Sequence, residues 1–497
     1  MSSLPERVER PSLPSPTAPL GWRQAWLSID KNPAALAFVQ TPAGVAAVHL
    51  AFLAVLAGTL QLSVAGLGLI ALTLCACAIW PSWRLPLVSL SGVVYILLRP
   101  FRTDEQRNFV DGLQRATPEV AELPQLAVQV PVVATFLGLC GLALAAHRRW
   151  RKGLFGRRPV LVQFIVLVGL LLIGGVTEPG TIEHMVLWSL IVVYAASFFF
   201  LAYALADQRG KDTTPPLVRL GFMRPFWGGP SIPFKGLTYL KTFEARTPEQ
   251  LALTRLKALK LVVWAALLAW AHLLASRAFY EFADFPTLNE AVGLLAAGAP
   301  PSMAASWGVV AKNFVLTLLA VGAFWHALVA VIRITGYGIP RNMARPLSAR
   351  TIAEFWNRYL FYFKEVLVDF FFYPAFARWF KEHPRLRIAF ATFCAACVGN
   401  VLFSLVAQAH LVAEHGLIGT LARFENYMFY ALVLAAALVA SQLRKAKPRP
   451  EDGFWRYEVS PRIVVIGFFC LIQIFADESG HLGLSERMDF FLHLFGV

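Results

Sequence analysis

Hydrophobic residues along this chain gather into long runs, separated by short polar segments rich in Arg, Lys, Gly and Pro. A helix must carry about 20 apolar residues to cross roughly 30 Å of hydrocarbon. Runs of about that kind lie at 38–62, 64–80, 84–98, 128–146, 159–176, 184–206, 255–277, 311–334, 388–412, 425–442 and 460–476. The pattern predicts an all-α polytopic membrane protein with about eleven spans. The strand patterns of a soluble domain, internal repeats and heptad arrays are missing. Residues 37–497 read as one multi-helix membrane domain behind a Pro/Ser-rich tail, 1–36, with a short interfacial helix expected around Trp22–Ile29. The tail lacks the apolar stretch and small-residue cleavage site of a signal peptide.

Composition sharpens this. Of 497 residues, 57% are hydrophobic and 15% charged, against about a quarter charged in ordinary soluble domains. The net charge of +15 would suggest nucleic acid in a soluble protein. Here the cations sit in short segments between apolar runs, which is a topology signal instead, so no nucleic-acid partner is expected. Each of the six cysteines lies within an apolar run, and Cys394 and Cys397 lack the companion ligands of a metal site.

Orientation follows from the positive-inside rule. The segment His147–Arg158 holds six Lys or Arg in twelve positions and is expected in the cytoplasm. Alternation then places 177–183 and the acidic 278–310 outside, and 207–254 and the basic 333–350 inside. The basic segment 377–387 must also lie inside. Both flanks of 351–376 therefore share one side, which a single straight span cannot achieve. A re-entrant or in-plane helix pair is expected there, sheltered by protein because charge and irregular backbone do not survive against lipid.

That segment carries the most chemistry. Glu354 and Arg358 are i,i+4 neighbours, as are Glu365 and Asp369, with Lys364 adjacent. Two readings stand: a polar site reached from the cytoplasm, or ion pairs that stitch an in-plane helix to the basic loops. A second polar stretch, 221–265, opens irregularly with Gly, Pro and aromatics. A helix then starts at Thr247-Pro248-Glu249-Gln250, with Thr247 as N-cap; residues 248–260 read as an amphipathic linker helix. His481 and His493, with Asp477 and Glu478, show no trusted metal-ligand spacing and read as an amphipathic end outside the cytoplasm.

Phe355, Trp356, Arg358 and Tyr359, followed by Leu367, Asp369 and Pro374, resemble the signature of the membrane-bound O-acyltransferases, above all the bacterial members that acylate alginate or D-alanylate teichoic acid. Phe222, Pro225, Gly229 and Pro230 look like the family's upstream Phe-Pro…Gly-Pro segment. The order of motifs agrees, and the resemblance covers roughly 180–497. It implies transfer of an acyl group from a cytoplasmic thioester donor, acyl-CoA or acyl-carrier protein, to a hydroxyl of an envelope polysaccharide or lipid, with no further cofactor. It also implies a bacterial inner membrane, a cytoplasmic N-terminus, and room for a periplasmic acyltransferase partner.

The departures fall on the family's histidines. The first would occupy Leu360. The second, counted from Thr392-Phe393, falls on Asn400, or with a slip of one turn on Ser404. None of these titrates near neutral pH as a general base must. His410, His326, Glu365 and Asp369 are the candidate replacements. Trp356, Asn357, Arg358, Lys364 and Ser404 are the candidate substrate contacts, with Arg358 or Lys364 on the carrier phosphate or the carbonyl and Asn400 orienting the acceptor. The alternative is a non-catalytic relative that binds lipid or glycan as a conduit or assembly platform.

Overall fold

The computed structural model describes residues 26, 28–59, 62–101, 103–208, 214–223, 232–444, 451 and 453–497. The expected helix at Trp22–Ile29 and the residues Pro225, Gly229 and Pro230 lie largely or wholly outside them. Among the described residues there is no strand, only an isolated antiparallel bridge between Glu244 and Tyr337. Among the same residues, ten helices are long and apolar enough to cross a membrane, and an eleventh apolar helix, Val64–Ile79, is shorter. The chain is an all-α integral membrane protein.

The elements used below are α1 (Pro42–Thr59), α2 (Val64–Ile79), α3 (Arg84–Leu98), α4 (Asp104–Arg115), α5 (Gln125–Arg149), α6 (Pro159–Val176), α7 (Ile182–Asp207), α8 (Pro248–Arg277) and α9 (Met303–Ile334). They continue with α10 (Ile352–Tyr359), α11 (Phe361–Leu367), α12 (Pro384–Ala407), α13 (Glu425–Leu443) and α14 (Ser460–Ile472). The 16 residues of α2 rise only about 24 Å, so it needs protein cover at one end.

The buried axis is α7. It is apolar on every face, and Phe198 through Leu205 are all buried. A helix hydrophobic all round belongs inside the bundle. Thr181 caps it by accepting from the His184 backbone N–H at 3.3 Å. Beside it, α8 starts where the N-cap pattern placed it, with Thr247 accepting from Gln250 N–H at 3.2 Å. Residues 248–260 are not a linker helix, however. Nothing between 248 and 277 breaks the helix, and Ala252, Thr254, Arg255, Leu256 and Ala258 are buried along its first half.

Loops gather at two ends. At the basic end, Arg84 donates to the Ala245 carbonyl at 2.7 Å, and Ala245 N–H to Gly336 at 2.9 Å. At the other, acidic end, α4 covers the C-terminus of α12, where Gln106 donates to the Ala407 carbonyl at 3.1 Å, and Arg487 pairs with Asp477 at 2.8 Å.

The segment 351–376 is a broken helix pair. Its N-terminal flank is held by Arg350, which bonds Glu458 and the Tyr457 hydroxyl ahead of α14. Its C-terminal flank carries Arg378, which lines a cavity with Arg157 and Arg158. Both flanks lie at the basic end. The break is at Leu360 (φ −133°, ψ 76°), and the buried Asn342 supplies what the interrupted backbone loses. Its carbonyl accepts from Phe361 N–H at 2.9 Å and its side-chain oxygen from Tyr362 N–H at 2.8 Å. Backbone polar groups at this depth must be satisfied. Replacing Asn342 by Ala is therefore expected to cost about 1–3 kcal/mol, the penalty of one buried unsatisfied donor, while Asn357→Ala, at an exposed position, changes little. Thermal unfolding of the two variants in the same detergent checks this.

Candidate functional site

Two polar clusters meet α7 and α12 at opposite ends, with aromatic rings between them.

The basic-end cluster is built on a loop. Lys235 adopts a left-handed backbone (φ 58°), a strained geometry for a residue with a side chain. It is fixed by its neighbours. Phe234 is buried against Tyr362, with ring centroids 4.5 Å apart. Asp207, at the end of α7, accepts from Thr238 N–H at 3.0 Å and pairs with Arg219. The turn delivers the Lys235 ammonium between Glu365 and Asp369, bonded to the first and 3.2 Å from the second. Lys364 takes the other oxygen of Glu365 at 2.6 Å, and the Tyr203 hydroxyl donates to Asp369 at 2.8 Å. Burial works against the charge on Lys235. The hydrogen bond to Glu365 and the charge of Asp369 prevail and hold its ammonium above its ordinary value. A cavity of about 610 Å³ opens beside the cluster, lined by Arg157, Arg158, Arg378, Asp207 and Tyr239 among others.

Asp369 lies in a widened turn, Val368–Phe372, which packs against a second one in α12, Cys394–Gly399. Such turns interrupt the regular ladder and often mark functional positions. Gly399 sits directly beneath the Phe371 ring, where a Cβ would clash. Phe199 stacks on Phe403 at 4.9 Å and Phe363 meets Phe403 edge-on at 5.0 Å. These rings form the layer between the clusters.

The acidic-end cluster starts from Asn400, fully buried, whose side-chain oxygen accepts from the Tyr427 hydroxyl at 2.8 Å and whose amide nitrogen has no partner. One turn on, the Ser404 hydroxyl donates to Glu478 at 2.8 Å, and Gln408 donates to its other oxygen. The Glu478 carboxyl is pushed above its ordinary value by burial, against those two hydrogen bonds. A cavity of about 630 Å³ opens here, lined by Glu105, Asn108, His410, Arg423 and His481 among others. Burial pulls the His410 imidazole down to about 4, so it stays neutral.

The structure thus brings Lys364, Glu365 and Asp369 together, and separately Asn400 and Ser404. Arg358 is bound instead to Glu354 and Ser348. Trp356 packs edge-on to Phe363 at 6.1 Å, and Asn357 is exposed. His326 sits on α9 with Nδ1 2.6 Å from the Gly322 carbonyl of its own helix. Near the C-terminus, His493 meets the Pro301 carbonyl at 3.0 Å while Asp477 pairs with Arg487, so the acids and histidines of that region point to different partners. Sequence reasoning missed Lys235, Tyr203 and Tyr427, and it named Glu478 only as a dismissed metal ligand. The carboxylate that follows the last span was the available signal for Glu478.

Compared with known proteins, the chain matches no family model and no curated protein.

Removing Lys235 leaves Asp369 with only the Tyr203 hydroxyl and Glu365 with Lys364 alone. Lys235 and Glu365 are 18% and 16% exposed, so the loss falls below the full penalty for breaking a buried pair. Lys235→Met is expected to cost about 1–3 kcal/mol, and adding Glu365→Gln recovers part of it. Unfolding midpoints of the single and double variants measure the coupling.

Proposed function

We propose that this protein is a membrane-bound O-acyltransferase that carries an acyl group from a cytoplasmic thioester donor to a hydroxyl of an envelope polysaccharide or lipid. One observation carries the reading. Glu478 is a half-buried carboxylate with a raised proton affinity, hydrogen-bonded to neutral partners, facing an open polar cavity at the C-terminal end of α12. That is the disposition of a general base tuned by burial.

The chemistry assigned to each end follows from charge. Arg157, Arg158 and Arg378 around the basic-end cavity suit the phosphates of an acyl-CoA or acyl-carrier protein. The acceptor hydroxyl occupies the acidic-end cavity, oriented by Ser404 and the Asn400–Tyr427 pair. Glu478 takes its proton as the hydroxyl oxygen attacks the thioester carbonyl; the C–S bond then breaks and the thiolate leaves with the carrier. Glu365 is unsuited to the base role because both its oxygens are held by lysines. In this reading the basic end is cytoplasmic, the membrane is a bacterial inner membrane, and a periplasmic acyltransferase is the natural partner for passing the product on.

A second reading has its own support. The rings of Phe199, Phe363 and Phe403 pack against one another between the two clusters, and the basic-end charges are paired. This suits a non-catalytic relative that holds a lipid or glycan as a platform.

Transfer of label from acyl-CoA and acyl-carrier-protein donors to crude envelope glycans, in nanodiscs, separates the two. Glu478→Gln is expected to lower transfer by about 10²-fold or more, with no loss of unfolding midpoint at neutral pH, because the fold disfavours the ionised carboxylate. Asn400→Ala lowers it less. With Glu478 as base, activity falls as pH drops through its raised value, so the acid limb lies above the ordinary Glu range. Transfer unchanged in Glu478→Gln removes this base; no transfer from any donor, with glycan binding intact, favours the platform.

Orientation has an independent check. In a background without the exposed Cys75, a membrane-impermeant maleimide should label Glu178→Cys in intact cells. Lys152→Cys should react only after permeabilisation.

A further inference from the structure

A third cavity, of about 680 Å³, lies apart from both clusters, between α1, α2 and the first turns of α8 at the basic end. Its walls are mostly apolar, with Val45, Ala78, Ile79 and Leu251 among them, but Arg84 and Arg255 face it together. Arg84 is tied by Nε to the Pro81 carbonyl at 2.7 Å and by one terminal nitrogen to the Ala245 carbonyl and Glu244. Its other terminal nitrogen is buried over Gly336 and has no hydrogen-bond partner among the described residues. Arg255 is 5% exposed, and no hydrogen bond or ion pair engages it among the described residues. Its Nε is buried and unmet, as is the Tyr337 hydroxyl nearby.

An unpaired Arg255 guanidinium at a cavity wall, with the second cation Arg84 beside it, is costly unless an anion completes it. Their planar forks suit a phosphate oxygen pair. The walls specify the rest of the ligand. α1 is long and apolar enough to cross a membrane and α2 is a shorter apolar helix; Cys75 and Ile79, which line the cavity, are exposed toward the C-terminal end of α2, as are the adjacent Trp80 and Trp83. Aromatic side chains at that level are typical of the headgroup region.

We propose that this cavity binds an anionic phospholipid of the surrounding bilayer, with its phosphodiester between Arg84 and Arg255 and an acyl chain running out between α1 and α2. The site does not depend on the acyl-transfer reading.

The test uses the full chain in a neutral detergent, measuring the unfolding midpoint. Added phosphatidylglycerol should raise it by about 2–4 °C, while phosphatidylcholine and inorganic phosphate should not. Arg255→Gln should abolish the rise. It should also unfold no earlier than the unmodified protein without lipid, since it removes an unmet buried charge. Native mass spectrometry of the unmodified protein gives a check independent of that variant: phosphatidylglycerol should remain bound at energies that strip phosphatidylcholine. Equal effects of the two lipids, or a shift that survives in Arg255→Gln, overturns the proposal. A response to inorganic phosphate alone, or to acyl-CoA and not to phosphatidylglycerol, reassigns the anion and overturns it as well.

Discussion

A charge inside a bilayer must find a partner or a water-filled space, and this constraint organises the structure. Lys235 reaches into the bundle because two carboxylates await it. Lys312 on α9 is 98% buried, set against the Tyr280 ring at 4.2 Å and near the Pro286 carbonyl. Arg487, equally hidden, is shared by Asp477, Asn289 and the Ile474 carbonyl. Lys235 and Glu365 are 130 positions apart and Arg487 and Asn289 are 198 apart, so meeting these charges also fixes the helix arrangement. Against that background, Arg255, buried and engaged by no hydrogen bond or ion pair among the described residues, is the cation for which an anion is proposed above.

The same constraint explains how much the sequence disclosed. Spans were legible because their signal is local: length and apolarity suffice. The in-plane pair at 351–376 was legible for a different reason. Basic segments on both sides of it demanded an even number of crossings, and the structure meets that demand by breaking at Leu360. What a single window could not show was who satisfies the break. Asn342 does so from a loop that reads as featureless. The reading of 248–260 as an amphipathic linker helix failed because the helix that Thr247 caps runs unbroken to Arg277, with Arg255 buried in the bundle.

The cluster residues divide along the same line. Glu365, Asp369 and Lys364 are neighbours in sequence and were found together. Lys235 and Tyr203 lie 130 and 166 positions away from their carboxylate partners, so no spacing rule reaches them. Glu478 is 74 positions from Ser404. The residues at 400 and 404 were found by counting within one helix, whereas their partners became visible only through the packing of α12 against α13 and the loop after α14.

Which carboxylate can accept a proton is then a matter of neighbours rather than of residue type. Glu365 has an ammonium on each oxygen. Glu478 has a hydroxyl on one oxygen and a carboxamide on the other, neutral donors that orient it while leaving its charge uncompensated. Burial without a counter-charge raises proton affinity, so the two carboxylates are driven toward opposite roles: one knits a loop to a broken helix, the other is prepared to take a proton. The proposed resemblance, in which Asn400 stands where the family has a histidine, fits this division. Asn400 cannot titrate, but held by Tyr427 one turn below Ser404 it can fix a hydroxyl in direction, leaving the proton to a carboxylate from another part of the chain. In the proposed reaction the base and the group that orients the acceptor are therefore separate side chains, Glu478 and Asn400, brought to the acidic end by different stretches of the chain.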